Sequence, residues 1–213
     1  MTSDTLYEMD EKYFNNFKQL LNNVSLLGSS AVSSSIREEL TRAFSCFLAK
    51  RFKLKPESES NNGIIFAVQK DIEEIAAGNA ELEAALNKIN FEELNSEGYI
   101  IKYFEENDLL IVTSKTDKGL LYGTFALFRE IQQENNLKDL DILSNPKNNL
   151  RMLNHWDNLD GSIERGYAGK SIFYKDNNLR NDLTRIKDYA RMLASIGINA
   201  LSINNPYSIR KFL

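Results

Sequence analysis

The chain has 213 residues, 42% of them hydrophobic and 26% charged, the make-up of a folded, water-soluble protein with one large domain or two small ones. A net charge of −4 and the lack of any Lys/Arg cluster argue against nucleic acid as the main partner, since a phosphate-backbone binder needs a basic face. The single cysteine, Cys46, excludes an intrachain disulfide; with no apolar run long enough to span a bilayer and no signal-like start in MTSDTLYEMD, a cytoplasmic protein is expected.

Tyr13, Phe14, Phe17, Leu20 and Leu21 recur at the spacing of an amphipathic helix that runs to about residue 22. Val24 to Leu27 reads as a short strand closed by Gly28. A clearer helix follows from about Val32 to Lys50. It gathers Ile36, Leu40, Ala43, Phe44, Phe47 and Leu48 on one face and Arg37, Glu38, Glu39 and Arg42 on the other. Cys46 falls on the apolar side and reads as a buried thiol. Ser33 to Ser35 offer capping oxygens.

Pro56 to Asn62 is a polar loop, and Gly63 leads into a strand from Ile64 to Val68. Asp71 to Phe91 is acidic and only weakly periodic, so it reads as loop and short helix on the surface. Strands at Tyr99 to Phe104 and Leu109 to Thr113 flank Asn107-Asp108, two residues that tolerate left-handed backbone, which makes a hairpin. Thr116 or Asp117 caps a third helix to about Gln132, with Leu121, Phe125 and Phe128 on one face. Gly119 and Gly123 leave a patch where another element can come close. Strands interleaved with long helices predict an α/β sandwich.

Glu134 to Asn149 is polar and carries Pro146, which places a domain boundary there and divides the chain into residues 1–145 and 146–213. Beyond it, Leu150 to Leu153 reads as a strand. Asp182 starts a helix to about Ser195 with Ile186, Tyr189, Ala190 and Leu193 on one face, Gly197 stops it, and Asn199 to Ile203 is a second strand. Strand, helix and strand in that order form a β–α–β unit with a parallel pair.

The loop between that first strand and its helix spans roughly 28 residues, beyond the ~12–15 at which a loop in a compact domain is usually functional or disordered. It holds the only histidine, His155, and the only tryptophan, Trp156, together with Asp157, Asp160, Glu164 and Arg165. In parallel β/α architectures, loops after the strands' C-terminal ends face the binding crevice. Two such loops occur here, one starting Asn154-His155-Trp156-Asp157 and one starting Asn204-Asn205. An indole face stacks on a sugar ring, while Asp157, Glu164, Arg165, Asn204 and Asn205 can bind hydroxyls or a carboxylate. The combination predicts a carbohydrate site. Plainer roles exist for each residue: a rim tryptophan, a structural histidine, a Glu164–Arg165 ion pair locking the loop, and turn asparagines.

Two other readings are weaker. ERGYAGKS, residues 164–171, nearly matches the phosphate-binding GxxxxGK[ST] loop, but Glu164 stands at the first glycine and would repel a phosphate. His155, Asp157 and Asp160 could ligate a metal, yet one histidine gives no diagnostic spacing, and no metal is expected.

With those residues in view, the chain resembles the α-glucuronidases of glycoside hydrolase family 67. The resemblance rests on LRMLNHWDNLDGSIERGYAGKSIF (residues 150–173) and DYARMLASIGINALSINN (188–205), with EGYIIKYF (97–104) and SKTDKGLLYGTFALFREIQ (114–132) upstream. It implies an N-terminal α/β sandwich domain, then a (β/α)8 TIM barrel holding the active site, then a helical dimerisation region, so full-length members are homodimers. It implies hydrolysis, with inversion, of the α-1,2 bond between 4-O-methyl-glucuronic acid and the terminal xylose of aldouronic acids, with no cofactor. Trp156 matches a family tryptophan lining the uronic acid pocket near the 4-O-methyl group. The matching position after the second strand is usually Val and is Pro206 here.

The family's catalytic acid and base lie on later barrel strands, so the resemblance implies no catalytic residue in this chain. The expectation is therefore the N-terminal portion of an α-glucuronidase, a sandwich followed by the first, truncated β–α–β segment of a barrel, inactive alone. The alternative is a non-catalytic carbohydrate- or protein-binding α/β domain.

Overall fold

The computed structural model describes residues 10–49, 51–56 and 62–203. The chain forms two compact units, Met1–Lys147 and Asn148–Leu213.

The first unit opens with two short helices, α1 (Glu11–Asn16) and α2 (Lys18–Asn22), rather than one continuous helix. Phe17 leaves helical geometry between them, and its ring packs 4.8 Å from that of Tyr13. Strand β1 (Val24–Leu26) precedes helix α3 (Ala31–Phe47). The cap of α3 is Ser30, whose side chain accepts the Ser33 N–H, and not the three serines that follow. Ser33 is buried, its hydroxyl shared with Ser30 Oγ at 2.9 Å and Asp117 Oδ1 at 3.3 Å. Glu39 is also buried, on the face expected to be polar, where it meets Arg42 at 3.3 Å. Cys46 is only partly buried.

Strand β2 (Gly63–Val68) is apolar throughout, as a strand covered on both faces must be. Helices α4 (Gln69–Ala76) and α5 (Ala80–Leu86) come next, where loop and short helix on the surface were expected. Their Ile72, Ala76, Leu82, Ala85 and Leu86 are buried in one core with the sheet's Ile65, Ala67, Leu109 and Ile111, so this acidic stretch packs on the sheet. Gly78 (φ 97°) and Asn79, which caps α5, separate the helices and break the period that would have marked them.

Strands β3 (Tyr99–Phe104) and β4 (Leu109–Ser114) form the predicted hairpin, with a single 3-10 turn at Glu105–Asn107 and Asp108 left-handed at φ 46°. Helix α6 (Asp117–Gln132) follows, capped by Thr116. Strand β5 (Asp141–Ser144) lies inside the polar stretch read as a linker and pairs antiparallel with β3.

The sheet order is β1-β2-β4-β3-β5, with β1, β2 and β4 mutually parallel. Alternation along β2 and β4 feeds two cores. Ile64, Phe66, Leu110 and Val112 pack with α3 and α6; Ile65, Ala67, Leu109 and Ile111 pack with the α4 and α5 side. This is a three-layer α/β/α sandwich.

In the second unit, strand β6 (Met152–His155) pairs in parallel with β9 (Ala200–Ile203), with His155 opposite Ile203. Between them lie the hairpin β7 (Tyr174–Lys175) and β8 (Asn178–Leu179), and helix α7 (Thr184–Ser195). The cap position of α7 is Leu183, which makes no capping side-chain bond; Asp182, the expected cap, stands one residue earlier, where its Oδ1 accepts the Thr184 N–H at 3.0 Å. Gly197 (φ 75°) ends it, with the Ile198 N–H returning to the Leu193 carbonyl at 2.9 Å. On α7 only Leu193 is buried, while Met192 on the same helix and Met152 on β6 stay about half exposed, at 47% and 49%. Asn199 bonds across the strand starts, its Oδ1 accepting the Arg151 N–H at 2.9 Å and its Nδ2 donating to the Asn149 carbonyl at 2.7 Å. Among the described residues no helix is long and apolar enough to cross a membrane.

Candidate functional site: the loop after β6

The polypeptide between β6 and α7 is an ordered loop that folds on itself. The Trp156 carbonyl accepts the Glu164 N–H at 2.8 Å, and the Asn158 N–H donates to the Ser162 carbonyl at 2.8 Å. Asp160 Oδ1 accepts both the N–H and the hydroxyl of Ser162, at 2.8 and 2.7 Å. Asn158 Nδ2 donates to Ser162 Oγ and to the Glu164 carbonyl, at 2.8 and 2.7 Å. Farther on, Ser171 Oγ accepts the Phe173 and Tyr174 N–H groups, and Arg180 Nε donates to the Ser171 carbonyl at 3.0 Å. Bonds of this kind, between groups near in sequence, fold the loop onto itself.

Side chains alternate across the start of the loop. His155 and Asp157 turn inward, and Trp156 turns outward, 50% exposed. The His155 ring stands edge-on to Phe173 and to Tyr189, each 5.3 Å away between centroids. Its Nε2 lies 2.6 Å from the Tyr189 hydroxyl, and its Nδ1 lies 3.5 Å from Asp157 Oδ1. Asp157 is 1% exposed, and neither of its carboxylate oxygens has a hydrogen-bond partner among the described residues. Burial first, and then the Asp157 charge, hold the Tyr189 phenol above its ordinary pKa of 10.0. Asp182 is held below 3.8, first by the backbone hydrogen bond from Thr184.

The predicted site residues are thus divided. Trp156 and Glu164 are joined through the backbone bond between them, and Trp156 presents an open indole face. Glu164 is left-handed (φ 53°), and its carboxylate accepts the hydroxyl of the well-exposed Tyr167. Arg165 is exposed. Asp157 lies inside, against His155. Asn204, Asn205 and Pro206 fall outside the described residues. Tyr189 and Phe173 belong to the same cluster and were missed. Tyr189 was read only as part of an apolar helix face, although a half-buried phenol needs a hydrogen-bond partner.

The near phosphate-loop motif has a different local structure. Ser171 caps a turn that leads into β7, whereas a phosphate loop opens a helix whose N-terminus faces the anion. Among the described residues, no three His, Cys, Asp or Glu side chains gather as a metal site.

Residues 7–127 match the family model for the glycosyl hydrolase family 67 N-terminus, and residues 130–213 match that for the glycosyl hydrolase family 67 middle domain. The chain belongs to glycoside hydrolase family 67. It is 34% identical over 172 residues to α-glucuronidase A of Emericella nidulans, covering 78% of this chain and 19% of that protein. It is 32% identical over 188 residues to the probable α-glucuronidase A of Aspergillus niger, covering 87% of this chain and 21% of that protein. This family 67 chain therefore spans about a fifth of the length of the curated relatives it matches.

Two solved structures share its fold at low identity. One is a family GH115 4-O-methyl-α-glucuronidase with specificity for decorated arabinogalactans (TM-score 0.57, 14% identity, 87% of this chain and 25% of that chain). The other is a GH138 enzyme targeting pectin rhamnogalacturonan II (TM-score 0.55, 17% identity, 86% of this chain and 18% of that chain).

Proposed function

We propose that this family 67 chain serves α-glucuronidase chemistry, removing 4-O-methyl-glucuronic acid from glucuronoxylan-derived aldouronic acids. The sandwich unit is the family's N-terminal domain, and β6, α7 and β9 are the first β–α–β segment of a (β/α)8 barrel. Loops at the C-terminal ends of such strands face the active site. The observation that carries the reading is the half-exposed indole of Trp156, held at the C-terminal end of β6 in a folded loop. An indole face buries the apolar side of a sugar ring, and the exposed Arg165 can take a uronate carboxylate bidentately.

Inverting hydrolysis needs a carboxylic acid to protonate the leaving oxygen and a carboxylate ~6.5–9.5 Å away to activate water. Those two groups are assigned to later barrel strands, so the 213-residue chain alone releases no uronic acid. Titrating it with an aldotetraouronic acid tests the binding half, because Trp156 is the only tryptophan and its fluorescence reports contact directly. A saturable emission change without release of methylglucuronic acid is expected. An unresponsive indole, or measurable turnover, refutes the corresponding half of the reading.

A further inference from the structure

The Asp157 carboxylate is the least accounted-for group in the second unit. It is 1% exposed, and both oxygens are buried without a hydrogen-bond partner among the described residues. An unpaired buried carboxylate is costly enough that a fold keeps one only where a compensating charge or dipole faces it. Here the facing group is His155 Nδ1, at 3.5 Å. That separation exceeds the ~3.2 Å limit of a good N–H···O bond, but a ring N–H dipole beside a dry carboxylate is still attractive at this range. A bare ring nitrogen aimed at it is repelled.

The other ring nitrogen completes the argument. Nε2 sits 2.6 Å from the Tyr189 hydroxyl. A neutral imidazole carries one N–H and one acceptor nitrogen, and the hydrogen bond at one nitrogen sets the role of the other. With the proton on Nδ1 toward Asp157, Nε2 is the acceptor and Tyr189 donates. Nε2 and the phenol are then matched, and the Nδ1–H faces the Asp157 charge. With the proton on Nε2, the Nδ1 lone pair faces the Asp157 charge.

We propose that Asp157 is a positioning residue: it fixes His155 as the Nδ1–H tautomer, makes Tyr189 donate to Nε2, and through this array sets the direction of the Trp156 indole. His155 and Asp157 flank Trp156 and turn inward while it turns outward, so fixing both neighbours fixes the backbone that carries the indole. The link to sugar recognition rests on the function proposed above; the tautomer and the indole's orientation do not.

His155 is the only histidine and Trp156 the only tryptophan in the whole chain, so both effects can be read without assignment ambiguity. Long-range proton–nitrogen spectra of the 213-residue chain, at a pH where the same resonances show the ring neutral, are expected to give a protonated-type shift at Nδ1 and a bare-type shift at Nε2. The reverse pattern in the unmodified chain overturns the proposal with no variant needed. Tyr189→Phe keeps the Nδ1–H tautomer. Asp157→Ala loses it, and Asp157→Asn, which retains a carbonyl acceptor, restores it at least in part. The anisotropy of the Trp156 emission falls in Asp157→Ala and recovers in Asp157→Asn. An unchanged tautomer, or an unchanged anisotropy, in Asp157→Ala overturns the positioning role. None of these readouts contains a sugar, so they stand or fall separately from aldouronic acid binding.

Discussion

His155 Nε2 lies 2.6 Å from the Tyr189 hydroxyl, joining the last residue of β6 to the middle of α7. Phe173 stands edge-on to both rings, so the bond is sheltered on one side by the folded loop. Tyr189→Phe removes the hydroxyl but keeps the ring, and a net loss of about 0.5–1.5 kcal/mol is expected, read from faster hydrogen exchange of the α7 amides. The phenol also has a pH signature. Its pKa is raised, first by burial and then by the Asp157 charge, so the folded chain holds this proton more tightly than the unfolded chain. The associated stability is complete below the ordinary tyrosine value near 10.0 and is lost as pH rises through the higher folded value. Ultraviolet titration should show a late tyrosinate step that disappears in Tyr189→Phe; an early step disappearing instead would contradict this.

Gly119 and Gly123 bear on the sandwich through contact rather than flexibility. A Cβ on Gly119 would overlap the Gly98 carbonyl oxygen and Ser114 Oγ. On Gly123 it would stand 3.0 Å from Tyr99 Cβ and 3.1 Å from Val112 Cγ1. Gly119→Ala therefore has to push α6 off the sheet, at a cost of ~3 kcal/mol or more, while Gly123→Ala should cost only about 1 kcal/mol because its clashes are smaller and helix propensity repays part of them. Urea denaturation that ranks the two equally would count against this packing.

The contrast between these glycines and α4 shows what was legible in the chain and why. The Gly119/Gly123 patch, the β3–β4 hairpin and the β6–α7–β9 unit all announce themselves locally, through small residues four apart, a turn that tolerates left-handed backbone and a periodic helix between two apolar runs. Helices α4 and α5 do not. Gly78 and Asn79 interrupt their period, and glutamates at 73, 74, 81 and 83 mask Ile72, Ala76 and Leu82. Strand β5 is hidden for another reason. Its DILS sequence alternates outward and partly covered residues on a sheet edge, and only the long-range pairing of Leu143 with Ile100 reveals it. In the site loop, composition pointed to Trp156 and Asp157 together, but the strand's alternation sends one outward and the other inward. The bond between His155 and Tyr189 spans 34 residues and no local pattern encodes it.

The cap of α3 gives a clean comparison among neighbouring serines. Ser30 Oγ accepts the Ser33 N–H at 2.9 Å, whereas Ser34 and Ser35 donate to carbonyls one turn back. Ser30→Ala should cost ~1 kcal/mol, and Ser34→Ala less than about 0.5 kcal/mol or even a small gain, since alanine is the better helix former. Ser33→Ala should resemble Ser30→Ala, because Ser33 is buried and its hydroxyl also reaches Asp117. Equal effects at Ser30, Ser33 and Ser34 would reject this assignment.

Asp108 combines a strained backbone with a useful side chain. It is left-handed at φ 46°, accepts the Tyr103 hydroxyl at 2.8 Å, and pairs with Lys138 Nζ at 3.0 Å, whose ammonium also lies 5.5 Å above the Tyr103 ring. Burial, and then the hydrogen bond to Asp108, raise the Tyr103 pKa; Asp108 likewise raises that of Lys138. The Lys138 side chain is 44% exposed, so solvent screens the ion pair and it contributes well under 1 kcal/mol. Asp108→Asn keeps a residue that tolerates the turn and a carbonyl for Tyr103, so its cost should stay below about 1 kcal/mol. The Tyr103 titration should then move down, because Asp108 raises it through both the hydrogen bond and its charge while Lys138 lowers it. Asp108→Val loses both bonds and places a β-branched residue in left-handed backbone, for an expected cost of ~2–3 kcal/mol. A Tyr103 titration that does not move in Asp108→Asn would show that Asp108 has no hold on that phenol.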